Sequence, residues 1–395
     1  MLDLLDLMRP SDYVPRVQQL DAIVVGGGPA GSTAAHRLTA AGLRVVVLDR
    51  EDFPRVKLCA GWLSEPIWDA LELLPSSYPR GLWTWERCHV HFQGRSTAVA
   101  TRGYFIRRYE LDEFLLRRSG AEVVRHAVGA IQRDGDHWIV DGRFRARYLL
   151  GAAGTHCPVA RLLAPRRTEA PVGVQEIEYE AGASAVAAHR LGRDGEPELL
   201  LHDDVGGYSW NVPKTGWLNV GTGTMNAKQV RQAWAHARAH FKGHLPPDAG
   251  AHLEKAKGHA YYLFDPAHLE RCEGDGAFLV GDALGLAQPI TAEGILPAVI
   301  SGRLAADAIL AGDPASYRQR LRSHPVLQDY DLYYRLRMAG SRLKERASGR
   351  RSPIGPPAFV TTLLNAAVAR GFGWMFAGRP VAGRRAWQRF LGARS

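Results

Sequence analysis

The chain has 395 residues, of which 46% are hydrophobic and 23% are charged. This composition is typical of a folded protein with a large core, and it excludes a disordered or collagen-like chain. At about 150 residues per domain, the length predicts two or three domains. The four cysteines form no CxxC pair, which excludes a small disulfide scaffold and argues against a zinc ribbon.

The net charge of +10 is concentrated at the C-terminus. Residues 341–395 hold eleven basic residues and one acidic residue, whereas basic and acidic residues balance over 1–340. A nucleic-acid groove through the body of the protein is therefore not expected. Two apolar, arginine-bearing segments of this tail, 359–376 and 379–391, are predicted helices. They could dock on the body, cap a substrate cavity or contact an anionic membrane surface, and these alternatives stay open.

The chain carries no evident signal for export or membrane insertion. Its first residues lack a basic stretch followed by an uninterrupted apolar run, and no run of 18 charge-free apolar residues occurs. We therefore expect a cytoplasmic protein, with peripheral membrane contact through the basic C-terminus as the open alternative.

In chain order, the first strong pattern is an apolar run over 21–26, an alanine-rich helical stretch over 29–41 and a second apolar run over 43–48. This order predicts a β–α–β unit whose parallel strands are buried on both faces. Apolar runs separated by turns between 172 and 223 predict an antiparallel sheet. Further helices are predicted at 110–118, 230–241, 295–310 and over most of 314–346.

The turn of the β–α–β unit has the pattern G-x-G-x-x-G over residues 26–31. Gly26 permits the tight turn, Gly28 lets a pyrophosphate approach the backbone, and Gly31 lets the helix pack closely on the strand. The N-terminus of the following helix directs its N–H groups at the anion.

An acidic residue ends the second strand of this unit. Asp49 lies 21 residues after Gly28, where a carboxylate accepts hydrogen bonds from the ribose hydroxyls of an adenosine. Arg50, the next residue, is a further candidate cofactor-binding residue. The glycine pattern, the β–α–β order and this acid together predict a dinucleotide site.

A second motif indicates which dinucleotide is bound. Residues 279–282 (LVGD) end a distant strand, and a proline- and glycine-containing loop and a long helix follow. This resembles the flavin-closing motif of the FAD-dependent oxidoreductases of the glutathione-reductase superfamily, in the hydroxylase-like branch. The resemblance implies that Asp282 bonds the ribityl chain and that the helix N-terminus faces flavin N1 and O2, where reduced flavin is negative. The candidate cofactor-binding residues of this motif are Gly281, Asp282, Pro289, Gly294 and Ile295.

Three further segments resemble known motifs. Residues 107–112 resemble an Arg-x-x-apolar-Asp segment that lies beside FAD in that superfamily, with Arg108 as the matching arginine. Residues 54–66 resemble the Pro-Arg-x-Lys-x-Cys-Gly-Gly segment of the geranylgeranyl reductase family, with Ala60 replacing one glycine. Residues 208–213 (YSWNVP) resemble the Tyr-x-Trp-x-Phe-Pro motif of the same family, with Val212 in place of phenylalanine.

The resemblance to geranylgeranyl reductases covers most of residues 20–312. It implies that the YSWNVP motif lines a cavity for an isoprenoid chain beside the flavin, with Cys59, Tyr208 and Trp210 as candidate catalytic residues. Cys59 has two interpretations, a proton donor or a small buried hydrophobic residue. The implied activity is FAD-dependent reduction of C=C bonds in a hydrophobic, isoprenoid-like substrate. NAD(P)H would be a transient electron donor, since no second G-x-G-x-x-G occurs.

A flavin-dependent monooxygenase or halogenase acting on a hydrophobic or aromatic small molecule is the alternative. Flavin hydroxylases carry an Asp in the segment that matches 151–158, and here Ala153 replaces it. The replacement disfavours an aromatic hydroxylase and leaves the route of flavin reduction open.

The predicted fold class is α/β, with a discontinuous Rossmann-like FAD-binding domain, an antiparallel-sheet substrate domain and a helical C-terminal region. The first part of the FAD-binding domain is expected at 20–165, with a substrate-side insertion at about 60–105. The remaining predicted units are the substrate sheet at 166–261, the return of the FAD-binding domain at 262–312 and the basic helical region at 313–395.

Four histidines are weighed as metal ligands. His89 and His91 share one face of a predicted strand, and His236 and His240 are four residues apart on a predicted helix. No accompanying acidic motif of a known metal site is present, so the sequence predicts surface histidines and no metal.

Overall fold

The computed structural model describes residues 17–164, 169–182 and 195–348, together with 367, 368, 371 and 375. The helices predicted at 359–376 and 379–391 lie outside the described residues apart from these last four positions. No helix among the described residues is long and apolar enough to cross a bilayer.

Two sheets organise the described part of the chain. The first contains a parallel core in the order β16-β9-β1-β2-β6, with antiparallel strands at one side. Its strands are β1 (Gln18–Val25), β2 (Val45–Asp49), β6 (Glu122–Arg125), β7 (Ile131–Asp134), β8 (His137–Val140), β9 (Phe144–Gly151), β15 (Glu273–Gly274) and β16 (Ala277–Leu279).

The second sheet has the order β14-β10-β13-β12-β11-β4-β5-β3 and is antiparallel except between β11 and β4. Its strands are β3 (Trp62–Leu63), β4 (Trp83–Phe92), β5 (Arg95–Phe105), β10 (Val172–Glu180), β11 (Glu198–Leu201), β12 (Gly207–Lys214), β13 (Trp217–Thr224) and β14 (Lys257–Tyr261).

The described residues also form α-helices that pack on the two sheets. They are α1 (Pro29–Ala40), α2 (Ile67–Leu71), α3 (Arg108–Arg118), α4 (Ala160–Leu163), α5 (Val230–Phe241), α6 (Ala249–Leu253), α7 (Ile295–Leu310), α8 (Ser316–Ser323) and α9 (Pro325–Ser348).

The β–α–β prediction is confirmed in its elements and pairing. Every residue of β2 is buried, and β1 pairs with it in parallel from Ala22 opposite Val45 to Val25 opposite Leu48. The sheet lies between helices, so both faces of these strands are apolar. Strands β1, β2 and β9 all end at one edge, and α1 and the loop before α7 meet there.

The predicted α/β class, with a Rossmann-like unit beside an antiparallel sheet, is confirmed. Some element boundaries differ from expectation. Helix α3 begins at Arg108, two residues before the predicted start at residue 110, and β4 begins at Trp83, well before the His89 and His91 of the predicted strand. Strands β3 to β5 pair within the second sheet, although they precede most of the first sheet in sequence. The exact division into domains stays a prediction.

Candidate dinucleotide and substrate site

The glycine-rich turn after β1 depends on the absence of side chains at two positions. Gly26 has φ of +109°, and a Cβ there would lie 2.5 Å from the carbonyl oxygen of Ala152. A Cβ on Gly31 would lie 1.9 Å from the carbonyl oxygen of Gly26. The first turn of α1 therefore packs directly against the turn that precedes it, as the motif predicts.

Gly28 has a different role, because the space above it is open. A Cβ there would meet the guanidinium nitrogens of Arg55 and Arg108 at 3.7 and 3.9 Å, which is ordinary contact. Gly28 is the N-cap of α1, and no side chain among the described residues caps that helix. The N-terminal amides and two guanidinium groups thus border one space, which suits a pyrophosphate.

The two arginines share one buried carboxylate. Arg108 Nε and Nη2 donate to the two oxygens of Asp112 at 2.6 and 2.8 Å, and Arg55 Nη1 lies 3.3 Å from Asp112 Oδ2. Burial alone would lower the pKa of Arg108, but Asp112 outweighs burial and raises it. Burial lowers the pKa of Arg55. Two cations on one carboxylate leave positive charge for an anionic ligand.

Asp49 and Arg50 are placed differently although they are adjacent. Asp49 Oδ2 accepts a hydrogen bond from the Gly27 amide at 2.8 Å, so the carboxylate lies at the glycine turn. The Arg50 side chain is 76% exposed and lies 3.8 Å from Glu51. The structure therefore places Arg55, rather than Arg50, over the turn. Assignment of Asp49 and Arg50 to the cofactor stays a prediction.

The second cofactor motif forms the turn before α7. Gly281 has φ of +57°, and its amide donates to Ser301 Oγ at 2.9 Å. Gly294 is the N-cap of α7, and a Cβ on it would lie 3.3 Å from Asp282 Oδ1. Asp282 therefore faces the start of α7, whose first residue, Ile295, is buried.

The loop between these residues is held by buried polar groups. The Gln288 side-chain oxygen accepts hydrogen bonds from the amides of Ile290 and Thr291. Glu293 Oε1 accepts from Ser64 Oγ at 2.8 Å, and burial raises the Glu293 pKa to about 7. Pro289, a predicted cofactor residue, uses its carbonyl oxygen to accept from Arg337 at 3.3 Å. These hydrogen bonds fix the conformation of the loop between Gly281 and α7.

The predicted substrate motif on β12 meets this loop. The Tyr208 hydroxyl donates to the carbonyl oxygen of Thr291 at 2.5 Å. The Trp210 indole N–H donates to Asn219 Oδ1 at 2.6 Å, and the two aromatic rings are 5.7 Å apart. The motif's aromatic side chains therefore lie on the sheet face that is turned towards the α7 loop, and they form an apolar wall there.

Cys59 lies at the same face. Its carbonyl oxygen accepts from Lys214 Nζ at 2.9 Å and from Asn219 Nδ2 at 3.3 Å. Its Sγ accepts from the Gly61 amide at 3.3 Å, and the residue is half-buried. Lys214 is buried and also forms an ion pair with Glu178. The segment 54–66 is thereby tied to the substrate sheet by its backbone.

Glu176 is a functional candidate that the sequence reasoning missed. It lies across from Gly221, on which a Cβ would come 2.3 Å from the Trp210 ring and 2.7 Å from Glu176 Cβ. Glu176 Oε2 accepts from Asn219 Nδ2 at 3.1 Å, and burial raises the Glu176 pKa to about 7 despite nearby Lys214. The sequence feature that could have indicated Glu176 is the pair of acids at 176 and 178, which lie on one face of a strand among apolar neighbours.

The residues at the two motifs fit FAD. The open space at Gly28, bordered by an uncapped helix and two guanidiniums, suits the pyrophosphate. The second helix N-terminus, at Gly294, has no side-chain cap among the described residues and lies beside Asp282. Two such positive ends, one for phosphate and one for a reduced flavin ring, are the arrangement that a flavin dinucleotide requires.

Comparisons with known proteins agree with this interpretation. Residues 24–56 match the family described as NAD(P)-binding Rossmann-like domain. The chain is 28% identical to digeranylgeranylglycerophospholipid reductase 1 of Methanopyrus kandleri over 73% of this chain and 80% of that protein. It is 27% identical to the chloroplastic geranylgeranyl diphosphate reductase of Oryza sativa over 76% and 69%.

The chain is a homologue of the geranylgeranyl reductases. The resemblance seen in its motifs is confirmed, and the chain is an oxidoreductase. Its fold is shared with a geranylgeranyl bacteriochlorophyll reductase-like protein from Thermoplasma acidophilum, at a TM-score of 0.66 and 18% identity, covering 95% of this chain and 100% of that one. Flavin-dependent halogenases also share the fold.

Proposed function

We propose that the protein binds FAD and reduces C=C bonds of an isoprenoid chain carried by a lipid. The observation that carries this proposal is the hydrogen bond between Tyr208 and Thr291. It brings the aromatic face of the substrate sheet to the loop before α7, where the flavin ring is expected. The names of the homologues supply the substrate class, a polyprenyl lipid.

FAD held between the glycine turn and the loop before α7 would supply the hydride chemistry of the reaction. The protein's own residues position the alkene and exclude water. The rings of Tyr208 and Trp210 offer an apolar wall to the chain, and Gly221 leaves room beside Trp210. Burial raises the Tyr208 pKa, so its hydroxyl stays protonated and keeps its bond to the loop.

The second alkene carbon needs a proton, and the proposal assigns its delivery to Cys59. Glu176 restores the proton to the thiolate, since a carboxyl with a pKa of about 7 is partly protonated at neutral pH. Asn219 holds both groups by donating to Glu176 Oε2 and to the Cys59 carbonyl oxygen. The charged or titratable groups around Glu176 include Lys214, Lys57, Glu178, His259, Tyr208 and Tyr261.

The alternative activity, halogenation or monooxygenation, has less support at this site. Lys214, whose ammonium group lies at the Cys59 carbonyl, forms an ion pair with Glu178. A paired ammonium has no lone pair with which to carry an activated halogen. For the electron source we propose transient binding of NAD(P)H at the flavin.

The test uses the FAD-loaded protein without oxygen. NADPH is added with a digeranylgeranyl glycerophospholipid in mixed micelles, and mass spectrometry follows the lipid. We expect the mass of the lipid to increase by two hydrogens for each C=C bond that is reduced. The Cys59→Ala variant should keep FAD bound but reduce the lipid more slowly. If only dithionite, and not NADPH, reduces the flavin, and the lipid is then still saturated, NADPH is excluded as the electron donor. A halogenated or oxygenated product in air, and no saturation under either reductant, would overturn the proposed reduction.

We further propose that the basic tail contacts the membrane in which such a lipid resides. Residues 341–395 carry the whole net charge of the chain. Sedimentation with vesicles tests this, comparing the full chain with a chain that ends at residue 348. Binding that requires both the tail and anionic lipid is expected, and equal sedimentation of the two chains would contradict it.

A further inference from the structure

A cluster of histidines lies on the face of the second sheet that is opposite to Trp210. His91 on β4, Glu198 on β11 and His240 on α5 each offer one ligand atom, and these atoms lie within 4.8 Å of one another. The three residues are far apart in sequence. The side chain of His91 is 12% exposed, and that of Glu198 is fully buried. The expectation of surface histidines is therefore wrong for His91.

A third imidazole borders the cluster. His244 follows α5, and its Nδ1 lies 3.2 Å from Glu198 Oε1. His91 Nε2 lies 3.1 Å from the same oxygen. Ligands that bind zinc tetrahedrally at about 2.0–2.1 Å are separated from one another by about 3.3 Å. Both separations from Glu198 Oε1 are close to this value, and the contact with His91 is also a hydrogen bond.

Hydrogen bonding within the cluster does not account for all its nitrogens. His240 Nε2 and His244 Nδ1 are buried, and neither has a hydrogen-bond partner within the described ranges. His244 Nδ1 is therefore close to Glu198 Oε1 without being bonded to it. Buried polar nitrogens of this kind are normally satisfied, and an ion between them would satisfy both.

The carboxylate is held from behind, as metal-binding carboxylates are. Asn211 Nδ2 donates to Glu198 Oε2 at 3.0 Å, which leaves Oε1 directed at the histidines. Asn211 alternates with Trp210 along β12, so this network is on the far side of the sheet from the candidate reaction face. The apolar contacts of α5 with the sheet, through Trp234 and Phe241, are on that same side.

We propose that His91, Glu198, His240 and His244 bind one divalent transition-metal ion, with Zn²⁺ favoured by three imidazoles and one carboxylate. His91, Glu198 and His240 form the closest set, and His244 adjoins it through its contact with Glu198. Binding by all four in a tetrahedral arrangement would leave no position for substrate. The metal would be structural, joining α5 and the segment after it to β4 and β11. This inference does not depend on the proposed function, because the site is on the other face of the sheet.

The test uses the full chain purified without a histidine tag. The protein is incubated with Zn²⁺, dialysed, and analysed for bound metal, and a Co²⁺ form is examined for visible d–d absorption of a tetrahedral site. About one zinc per chain is expected, together with a rise in Tm when Zn²⁺ is added to the EDTA-treated protein.

His240→Ala should abolish stoichiometric binding and the Tm response. Asn211→Ala should weaken Zn²⁺ affinity by roughly 10- to 100-fold through loss of the bond to Glu198. His236→Ala is the matched control, since His236 lies one turn earlier on α5 and is exposed. If wild-type protein retains no zinc after dialysis, or if the His240→Ala and His236→Ala variants bind zinc equally, the site does not exist. If His240→Ala does not fold, Asn211→Ala and the Co²⁺ spectrum of wild type decide.

Discussion

The Tyr208 hydroxyl donates a hydrogen bond to the carbonyl oxygen of Thr291 at 2.5 Å. Tyr208 belongs to the antiparallel sheet, whereas Thr291 belongs to the loop that leads into α7 of the dinucleotide-binding unit. This bond is a direct connection between the two parts of the candidate active site. Movement of the loop when flavin binds would therefore shift Tyr208 in the aromatic wall, and movement of Tyr208 when substrate binds would shift the loop.

Tyr208→Phe removes this connection and retains the ring. We expect FAD to stay bound while the rate of substrate reduction falls by roughly 5- to 10-fold, equivalent to about 1 kcal/mol for one hydrogen bond. Tyr109→Phe is the control, because Tyr109 is exposed on α3. Steady-state kinetics with flavin absorbance measures both quantities. Equal rates for the two variants would show that the bond does not matter for turnover.

The two glycines of the α1 turn should respond differently to alanine. Gly31→Ala places Cβ 1.9 Å from the Gly26 carbonyl oxygen, so it should destabilise the fold by more than about 3 kcal/mol. Gly28→Ala meets only guanidinium nitrogens at 3.7 Å or beyond, so the protein should fold but bind FAD weakly. Thermal unfolding and FAD titration separate the two effects. Full FAD affinity in Gly28→Ala would contradict a pyrophosphate at this position.

Arg108→Lys tests the positive charge at the same space. Lysine cannot form the two-point contact with Asp112, so its ammonium would not be held over Gly28. We expect FAD affinity to fall by roughly 10- to 100-fold. Arg117→Lys, on the same helix with a 77% exposed side chain, should bind FAD like wild type. Fluorescence titration of FAD measures the change, and an unaltered Kd for Arg108→Lys would exclude the assignment.

The pH profile of reduction tests Glu176. Its acid form supplies the proton, so the rate should fall as pH rises through about 7. Glu176→Gln keeps the hydrogen bond with Asn219 but removes the titrating proton. The variant should be slower at pH 6 and should lack the fall near pH 7. If the fall persists unchanged in Glu176→Gln, another group is responsible for it.

Glu293 should make stability depend on pH. Burial raises the Glu293 pKa from 4.5 to about 7, so the folded protein binds the extra proton between these pH values. The contribution of Glu293 to the free energy of unfolding is on the order of 3 kcal/mol. It is fully present below pH 4.5 and is lost as pH rises through 7. Glu293→Gln should flatten that part of the profile. Urea unfolding at pH 5 and 7.5 measures it, and parallel losses in both proteins would contradict this origin.

Local patterns predicted much of the dinucleotide-binding unit. The turn over 26–31 needs only short-range sterics, since a Cβ at Gly26 or Gly31 would collide with neighbouring backbone. Buried parallel strands follow from continuous apolar runs, and the YSWNVP pattern places Tyr208 and Trp210 on one strand face. These features depend on residues close in sequence, and so the amino-acid sequence by itself determines them.

The tertiary structure, through strand order and register, decided which residues from distant parts of the sequence lie together. Glu176, Asn219 and Cys59 meet because β10 and β13 pair in one register, and a shift of one residue would turn Glu176 to the other face. His91 and His240 meet only because α5 packs against the second sheet on the face that carries His91. The order of residues along the chain does not indicate which of these distant residues will be in contact. Burial of the apolar faces selects one register, and that selection brings distant polar groups together.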